Sequence, residues 1–358
     1  LNYHAVSECG TSAQWNTQKN TIGMVYSRFH KISSDGLNHQ GANAIVIDAA
    51  NLAVLQNHGQ TSGHSFENSL IMDGAGNFLG QDLGDNYPRG VHLFLFDETA
   101  SSYRLPKSRV IHNMKTKHMD GPMNSAGKTF PYYPEISSPG HQFWKHSNDN
   151  NIYTELGHPG IVDVNDGILA FFAAEKPSLD NSVVGEIMTA PRNVAFVKVP
   201  KDFWTQPHTA LSPGPVERGG MYSFDGIWQD QVNMGVVWLT SYASLDSSVS
   251  RLKTVELADK ILLMWEIWTK TSYVRSEYMI VDSNGNILVP VTAMDYPLRL
   301  TPQDDLKVVG GRPVALVGDS DGRLVRYEIC VLDSCHAGTQ TATATSTHTM
   351  STTSTTTT

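Results

Sequence analysis

Residues 73–88 read DGAGNFLGQDLGDNYP, and residues 282–297 repeat the pattern as DSNGNILVPVTAMDYP. In both stretches an aspartate opens a Gly-Asn turn, an apolar strand follows, and Tyr-Pro comes at the same distance from the aspartate. Asp or Asn at the first position of a turn and Gly in its left-handed position are what a tight β-hairpin requires. The repeat therefore predicts a chain built from recurring antiparallel hairpins.

The turn recurs along the chain, as DVNDGILAFF from Asp163 and as DSDGRLVRYEI from Asp319. A second element, PRGVHLFLF at 88–96, is matched by PRNVAFVKV at 191–199. With two weaker Asp-Gly candidates in the gaps, successive turns lie 37 to 62 residues apart. This spacing is centred near the roughly 40–50 residues of one four-stranded propeller blade.

Between the turns lie short apolar runs without sustained helical periodicity, which indicates an all-β fold. Over residues 20–335 this turn-and-strand repeat resembles that of secreted β-propeller proteins, in which small sheets stack radially and cover their edges. The resemblance implies a β-propeller of seven four-stranded blades, with six and eight as neighbouring counts. A pair of β-sandwiches is the alternative.

The propeller interpretation divides the chain into an N-terminal segment at 1–20, the propeller at 21–335 and a Thr/Ser-rich extended tail at 336–358. It also predicts that four turns occupy equivalent positions in different blades. These are the turns at Asp73, Asp163, Asp282 and Asp319.

Charge and hydropathy exclude two classes of partner. The formal net charge is −9, and Lys and Arg are scattered rather than clustered, so neither nucleic acid nor an anionic membrane is an expected partner. No run of eighteen apolar residues occurs, so no membrane span is expected. The chain begins at Leu1, as a chain does after removal of a secretory signal, and we therefore expect an extracellular protein.

The cysteines lie at opposite ends of the predicted ring, Cys9 near the start and Cys330 and Cys335 near the end. None has CxxC spacing, so a zinc site is not expected. Because the first and last strands of a propeller usually share a blade, Cys9 could form a disulfide with Cys330 or Cys335. Closing so long a loop would stabilise the fold by about 5 kcal/mol. Three reduced thiols are the alternative.

The tail consists mostly of hydroxyl side chains, since fifteen of the twenty residues from Thr339 to Thr358 are Thr or Ser. Thr occupies every second position from Thr339 to Thr349, and alternation of a β-branched residue favours an extended strand. We expect it to add to a sheet edge of another copy, giving a homo-oligomer or filament, and to carry O-linked glycans. The candidate glycosylation sites are Thr339, Thr341, Thr343, Thr345, Thr347, Thr349, Ser351, Thr352 and Thr353.

Candidate ligand sites are weak. The turns at Asp163, Asp282 and Asp319 offer oxygen ligands for calcium, but none completes a twelve-residue calcium loop, so a hairpin turn is the preferred interpretation and no metal or cofactor is expected. Tryptophans could stack on sugars, although core packing is preferred for Trp265 and Trp268.

One segment is rich in side chains that could act as acids or bases. Its carboxylates Glu67, Asp82 and Asp85 could hydrolyse a sugar linkage. The spacing fits no catalytic signature, and Arg89 has a counterpart in Arg192 that suggests a repeated structural role. The accompanying histidines are His58, His64 and His92.

The preferred functional hypothesis is a structural subunit of an extracellular glycosylated assembly, such as a fibre, sheath or surface appendage, and not an enzyme. In this hypothesis the propeller is the repeating unit of the assembly, and the tail joins one subunit to the next. The alternatives are a monomeric secreted propeller that binds glycan or protein, and a carbohydrate-active enzyme that uses Glu67, Asp82 or Asp85.

Overall fold

The computed structural model describes only part of the chain. No helix among the described residues is long and apolar enough to cross a membrane. Their regular elements are all strands. The described residues are 11–29, 40–63, 67–84, 90–96, 107–113, 154–175, 191–202, 216–217, 221–222, 228–229, 233–234, 236–269, 271–301, 304–318 and 324–329.

The strands form five antiparallel groups of three or four strands, which we call sheets, and two small ladders. The third and fourth groups meet at one parallel pair of strands, which joins them into an eight-stranded sheet. The first sheet contains β1 (Thr11–Asn16), β2 (Thr21–Phe29), β3 (Gln40–Asp48) and β4 (Val54–Gly63). The second contains β5 (Asn68–Met72), β6 (Phe78–Gly84), β7 (Gly90–Phe96) and β8 (Lys107–Asn113). The third contains β9 (Thr154–Val164), β10 (Gly167–Glu175), β11 (Arg192–Val199) and the short β16 (Val237–Trp238).

The fourth sheet contains β17 (Ser248–Leu257), β18 (Lys260–Trp268), β19 (Tyr273–Asp282) and β20 (Ile287–Ala293). The fifth contains β21 (Lys307–Val309), β22 (Arg312–Gly318) and β23 (Leu324–Glu328). The ladders pair β12 (Val216–Glu217) with β15 (Asn233–Met234) and β13 (Met221–Tyr222) with β14 (Trp228–Gln229).

Each sheet is antiparallel, and its strands follow chain order. The first strands of successive sheets, β1, β5, β9, β17 and β21, contact one another in series, and we call them the inner strands. β9 and β17 also pair in parallel, with Lys253 opposite His158. Sheets stacked side by side around their first strands make a β-propeller, as the sequence predicted.

The hydrophobic core lies between neighbouring sheets. Separate buried clusters join sheets one and two, two and three, three and four, and four and five. β10 is buried along its whole length because its two faces serve different clusters: Phe172 packs toward sheet two and Phe171 toward sheet four. Burying one such side chain stabilises the fold by roughly 1.5–3 kcal/mol, so the central sheet is strongly held on both faces.

The predicted number of seven blades is not confirmed. The described residues form five sheets. The estimate assumed one equivalent turn per blade, but the turns at Asp73 and Asp163 join the first and second strands of their sheets, whereas the turn at Asp282 joins the third and fourth. A spacing between turns that are not equivalent does not measure the length of a blade.

The repeated turn itself is as the sequence indicated. In both copies one aspartate oxygen accepts two backbone N–H groups and the other accepts a side-chain amide: Asp73 accepts from Ala75 and Asn77, and Asp282 from Asn284 and Asn286. The glycines have φ of 78° and 81° at positions 76 and 285. These carboxylates serve as hairpin caps.

Several predictions fall outside the described residues and stay predictions. They are the disulfide of Cys9 with Cys330 or Cys335, the turn at Asp319, and the structure and O-glycosylation of 336–358. Asp85, His64 and Arg89 also lie outside them.

Candidate functional site

The candidate site lies where the inner strands begin, and strand alternation decides which side chains reach it. In β5, Leu70 packs toward sheet one, whereas Ile71 packs toward sheet three. Because side chains alternate along a strand, Glu67, just before β5, shares the face of Ser69 and Ile71. Its carboxyl accordingly accepts the Leu156 N–H at 2.5 Å, next to Glu155.

Glu67 is an unusual carboxyl. The residue as a whole is partly buried, but its carboxyl group is enclosed, and this burial together with the charge of Glu155 raises its pKa to about 8. The Leu156 N–H and the charges of Arg192 and Lys253 act in the opposite direction but do not cancel the effect. At neutral pH the Glu67 carboxyl therefore carries a proton that it can donate.

Glu155, in contrast, is fixed by donors from two other strands. The Arg192 Nη1 lies 2.9 Å from its Oε2, and both side chains are only 12% exposed. The Ser250 Oγ donates to the same oxygen at 2.9 Å, and the Arg251 N–H donates to the other. The pair of Glu67 and Glu155 thus combines a proton-bearing carboxyl with an ion-paired carboxylate.

Arg251 can reach Glu155 because β17 is irregular at this point. The register of β17 against β18 shifts between Ser250 and Lys253, and Arg251 has φ 56°. A left-handed conformation costs about 1–2 kcal/mol for a residue other than glycine, so it persists only where surrounding contacts hold it. Here it directs the backbone N–H of Arg251 at Glu155.

Lys253 brings a buried cation to the same place. It is 1% exposed, and burial lowers its pKa to about 8, while the charges of Asp305, Glu155, Asp304 and Glu67 raise it. Asp304 and Asp305 precede β21, so four consecutive inner strands contribute charged groups to one end of the propeller.

The pKa values of two neighbouring residues are also shifted in this environment. Burial raises the pKa of Asp305, opposed by the charges of Lys307 and Lys253. Burial and the nearby Lys253 charge lower the pKa of His158 well below its usual range, so this histidine is neutral at physiological pH.

The sequence grouped Glu67 with Asp82, but the structure places their side chains on opposite faces of sheet two. Asp82 is fully buried and lies 3.8 Å from His92 Nδ1, on the face that carries Phe78 and packs against sheet one. His58 is also fully buried, with its ring 4.9 Å from Phe96. Of those candidates that the structure describes, it therefore brings only Glu67 to the site.

The remaining site residues were missed because their partners are distant in sequence. Lys253 was the clearest available signal, since a lysine between the apolar residues Leu252 and Val255 needs a partner when it is buried. Arg192 was assigned only a repeated structural role, and the structure pairs it with Glu155.

A second cluster continues from the site through Arg251 and contains two arginines, a glutamate and two aromatic rings. Arg251 Nη1 lies 3.3 Å from Glu266 Oε1, and Trp268 Nε1 donates to Glu266 Oε2 at 2.7 Å. The Arg299 guanidinium lies 5.0 Å from the ring centre of Trp268 and 4.6 Å from that of Tyr273. We call this group the arginine–tryptophan cluster.

The two tryptophans assigned to the core therefore differ. Trp265 is fully buried between sheets three and four, as predicted, and its Nε1 donates to Glu277 at 3.1 Å. Trp268 is only partly buried and packs on arginine.

Metal ligation has little support in the part of the chain that the structure describes. No three His, Cys, Asp or Glu side chains there are grouped so that they could hold an ion. Of the weak calcium candidates, Asp163 accepts the Gly74 N–H at 2.8 Å and lies 2.7 Å from Lys201 Nζ, and Asp282 caps its own turn. These contacts occupy the oxygens that a calcium ion would need.

Comparison with known proteins gives structural neighbours only. No protein-family model matches the chain. No curated protein matches it either.

Among solved structures, the chain is similar to an α-L-arabinanase from Penicillium chrysogenum complexed with arabinobiose, at 8% identity over 91% of this chain and 79% of that one, with a TM-score of 0.48. It is similar to an α-L-arabinofuranosidase from Clostridium thermocellum at 9% identity, covering 92% and 93%, with a TM-score of 0.41. It is also similar to an ulvan lyase from a new family of polysaccharide lyases at 9% identity, covering 90% and 67%, with a TM-score of 0.49.

These neighbours overturn two predictions. They are carbohydrate-active enzymes, whereas the sequence analysis preferred a structural subunit and expected no enzyme. The preference for a structural subunit and the expectation of no enzyme are therefore both withdrawn. At identities of 8–9% such a likeness concerns the fold and identifies no reaction.

Proposed function

We propose that the chain is an enzyme that cleaves glycosidic bonds of a polysaccharide by acid–base catalysis. The observation that carries this proposal is the enclosed Glu67 carboxyl, with a pKa raised to about 8, beside the ion-paired Glu155. Hydrolysis of a sugar linkage needs one carboxyl that is protonated at neutral pH and another that is ionised. Strongly shifted pKa values cluster at functional sites, which adds to the case.

In the first part of the proposed reaction, Glu67 gives its proton to the glycosidic oxygen while the bond from that oxygen to the anomeric carbon breaks. Positive charge then develops on the sugar ring. The carboxylate of Glu155, held by Arg192 and Ser250, stabilises this charge without having to reorient.

In the second part, a water molecule attacks the anomeric carbon and loses a proton to Asp305. A carboxylate whose pKa is raised is a better base than an exposed one, and burial raises the pKa of Asp305. The cation of Lys253 acts on Glu67, Glu155 and Asp305, and it limits the repulsion among them.

The test compares kcat/KM on two substrates, one whose leaving group needs a proton and one whose leaving group does not. Wild-type protein should release reducing ends from at least one of a panel of polysaccharides containing arabinan, xylan and polygalacturonate. Glu67→Gln should lower kcat/KM on that polysaccharide by about 10²–10⁴-fold. On the dinitrophenyl glycoside of the released sugar, the same variant should lose much less, because this leaving group departs without a proton.

Asp282→Asn is the matched control, because this carboxylate caps a turn on another part of the molecule and should leave kcat/KM unchanged. The proposal fails if no polysaccharide is cleaved, or if Glu67→Gln affects both kinds of substrate equally.

A further inference from the structure

The arginine–tryptophan cluster carries more positive than negative charge. Glu266 is fully buried and serves two arginines, Arg251 at 3.3 Å and Arg299 at 3.4 Å. Its remaining contacts are neutral donors, the Leu300 N–H at 2.5 Å and Trp268 Nε1 at 2.7 Å. Two guanidinium groups thus share one carboxylate, and one positive charge is left over.

The excess charge is accessible on Arg299. Its side chain is 45% exposed, whereas that of Arg251 is 25% exposed. Only the Nε of Arg299 donates to Glu266, and among the described residues its two Nη atoms have no hydrogen-bond acceptor. The rings of Trp268 and Tyr273 fix the plane of the guanidinium, so these donors are oriented before any ligand binds.

The cluster is joined to the catalytic carboxyls by direct contacts. The Arg251 N–H donates to Glu155, and the Arg251 Nη1 donates to the Leu300 carbonyl at 2.7 Å, next to Arg299. Arg299 directly precedes Leu300 in the chain, and Leu300 is the residue whose carbonyl accepts the hydrogen bond from Arg251. Because Arg251 lies between Arg299 and Glu155, we assign a group bound at Arg299 to a neighbouring sugar unit of the same polymer rather than to the unit whose bond is cleaved.

We propose that Arg299, oriented by Trp268 and Tyr273, binds an anionic substituent of the substrate, a carboxylate or a sulfate on a sugar unit next to the cleaved bond. The substrate class is then an acidic polysaccharide. This inference rests on the proposed function for its setting. A planar guanidinium with two parallel donors matches the oxygens of either anion.

The protein as a whole does not favour polyanions, since its formal net charge is −9. The overall charge therefore repels polyanions, and affinity for an acidic polymer needs a local site.

The test is native affinity electrophoresis of the full chain in gels that contain one of three polymers. Polygalacturonate carries only carboxylates, κ-carrageenan only sulfates, and arabinan neither. All measurements use the Glu67→Gln background, which prevents digestion. We expect retardation by at least one acidic polymer, and Arg299→Ala should weaken the derived affinity at least about tenfold.

The matched control is Arg326→Ala, because Arg326 is equally exposed, at 46%, and pairs with Glu328 on sheet five. It should bind as the parent does. Arg299→Lys keeps the charge without the planar donors and should restore only part of the affinity. Thermal melting of each variant separates lost binding from lost folding, and Arg299→Lys remains interpretable if the alanine variant is unstable.

Retardation by polygalacturonate alone identifies a carboxylate, and by κ-carrageenan alone a sulfate. Retardation by neither polymer, or equal retardation of the parent and Arg299→Ala, overturns the inference. The proposed function is judged separately, because cleavage of neutral arabinan that depends on Glu67 would support it even if no acidic polymer binds.

Discussion

The two ends of the inner strands both carry carboxylates, but in opposite environments. At the beginning of β5 and β9, Glu67 and Glu155 are enclosed and close to each other. At the far end, Asp73 and Asp163 lie in or beside hairpin turns, and Gly74 donates from one turn to the other. Glu67 and Asp73 are separated by the length of β5, about 20 Å.

Hydrogen bonds from backbone and amide donors explain why the carboxyl pKa values differ between the two ends. At the turn end, hydrogen bonds from the Asn286 side chain and the N–H groups of the turn lower the pKa of the half-buried Asp282. At the other end, burial and a neighbouring carboxylate raise the pKa of Glu67 despite its one N–H donor. The same functional group is therefore a structural cap at one end and a proton donor at the other.

The largest expected effect on stability comes from the ion pair of Glu155. Glu155→Gln removes the negative charge that pairs with the mostly buried Arg192, so the free energy of unfolding should fall by about 3–5 kcal/mol. Asp166→Asn, which removes the exposed partner of Lys198 at the turn end, should have a much smaller effect because solvent screens an exposed pair. Urea unfolding of both variants measures this contrast, and equal costs would remove the distinction between the two ends.

The next effect is on pH dependence. The pKa of Glu67 is about 8 in the folded protein against 4.5 as its unperturbed value, so between these pH values the folded chain holds a proton that the unfolded chain has released. The free energy of unfolding should therefore decrease as pH rises from 4.5 to 8. Lys253, whose pKa is lowered from 10.5 to about 8, acts only above this window and with the opposite sign.

Glu67→Gln should abolish this decrease. The measurement is the difference in urea unfolding free energy between wild type and variant at intervals across the window, since contributions from other groups largely cancel in the difference. A difference that does not vary with pH would show that the Glu67 carboxyl is ionised throughout.

The smallest effect is expected at the turn end. Asp282→Ala removes three hydrogen bonds from an exposed turn, so the free energy of unfolding should fall by about 1 kcal/mol while activity is unchanged. Calorimetry and an activity assay of the same preparation measure both. A loss of activity larger than the loss of folded protein would link this end to the reaction and contradict the comparison.

Local pattern was sufficient to predict the turns. The spacing of Asp, Gly and Asn in residues 73–77 and 282–286 is read directly from the sequence, and both copies adopt the same hydrogen bonds. The two matching stretches PRGVHLFLF and PRNVAFVKV were also predicted as strands from their local pattern. Each contains the third strand of its sheet, β7 in the first stretch and β11 in the second. These features depend on contacts within a few residues or on simple alternation.

The candidate site depended on information that the local pattern lacks. Glu67 was among the candidates, but it was grouped with Asp82, which is nearer in sequence and faces the other side of the sheet. Its actual neighbour, Glu155, is brought beside it only when sheets two and three stack.

The sequence by itself thus determined an all-β chain of hairpins stacked as a propeller, because turn chemistry and apolar alternation are local properties. Only the tertiary structure decided that five sheets are present among the described residues and that Glu67, Glu155, Lys253 and Asp305 meet at one end. The physical reason is that a pKa is set by burial and by charges within a few ångströms. Those charges come from inner strands of four different sheets, far apart in the chain.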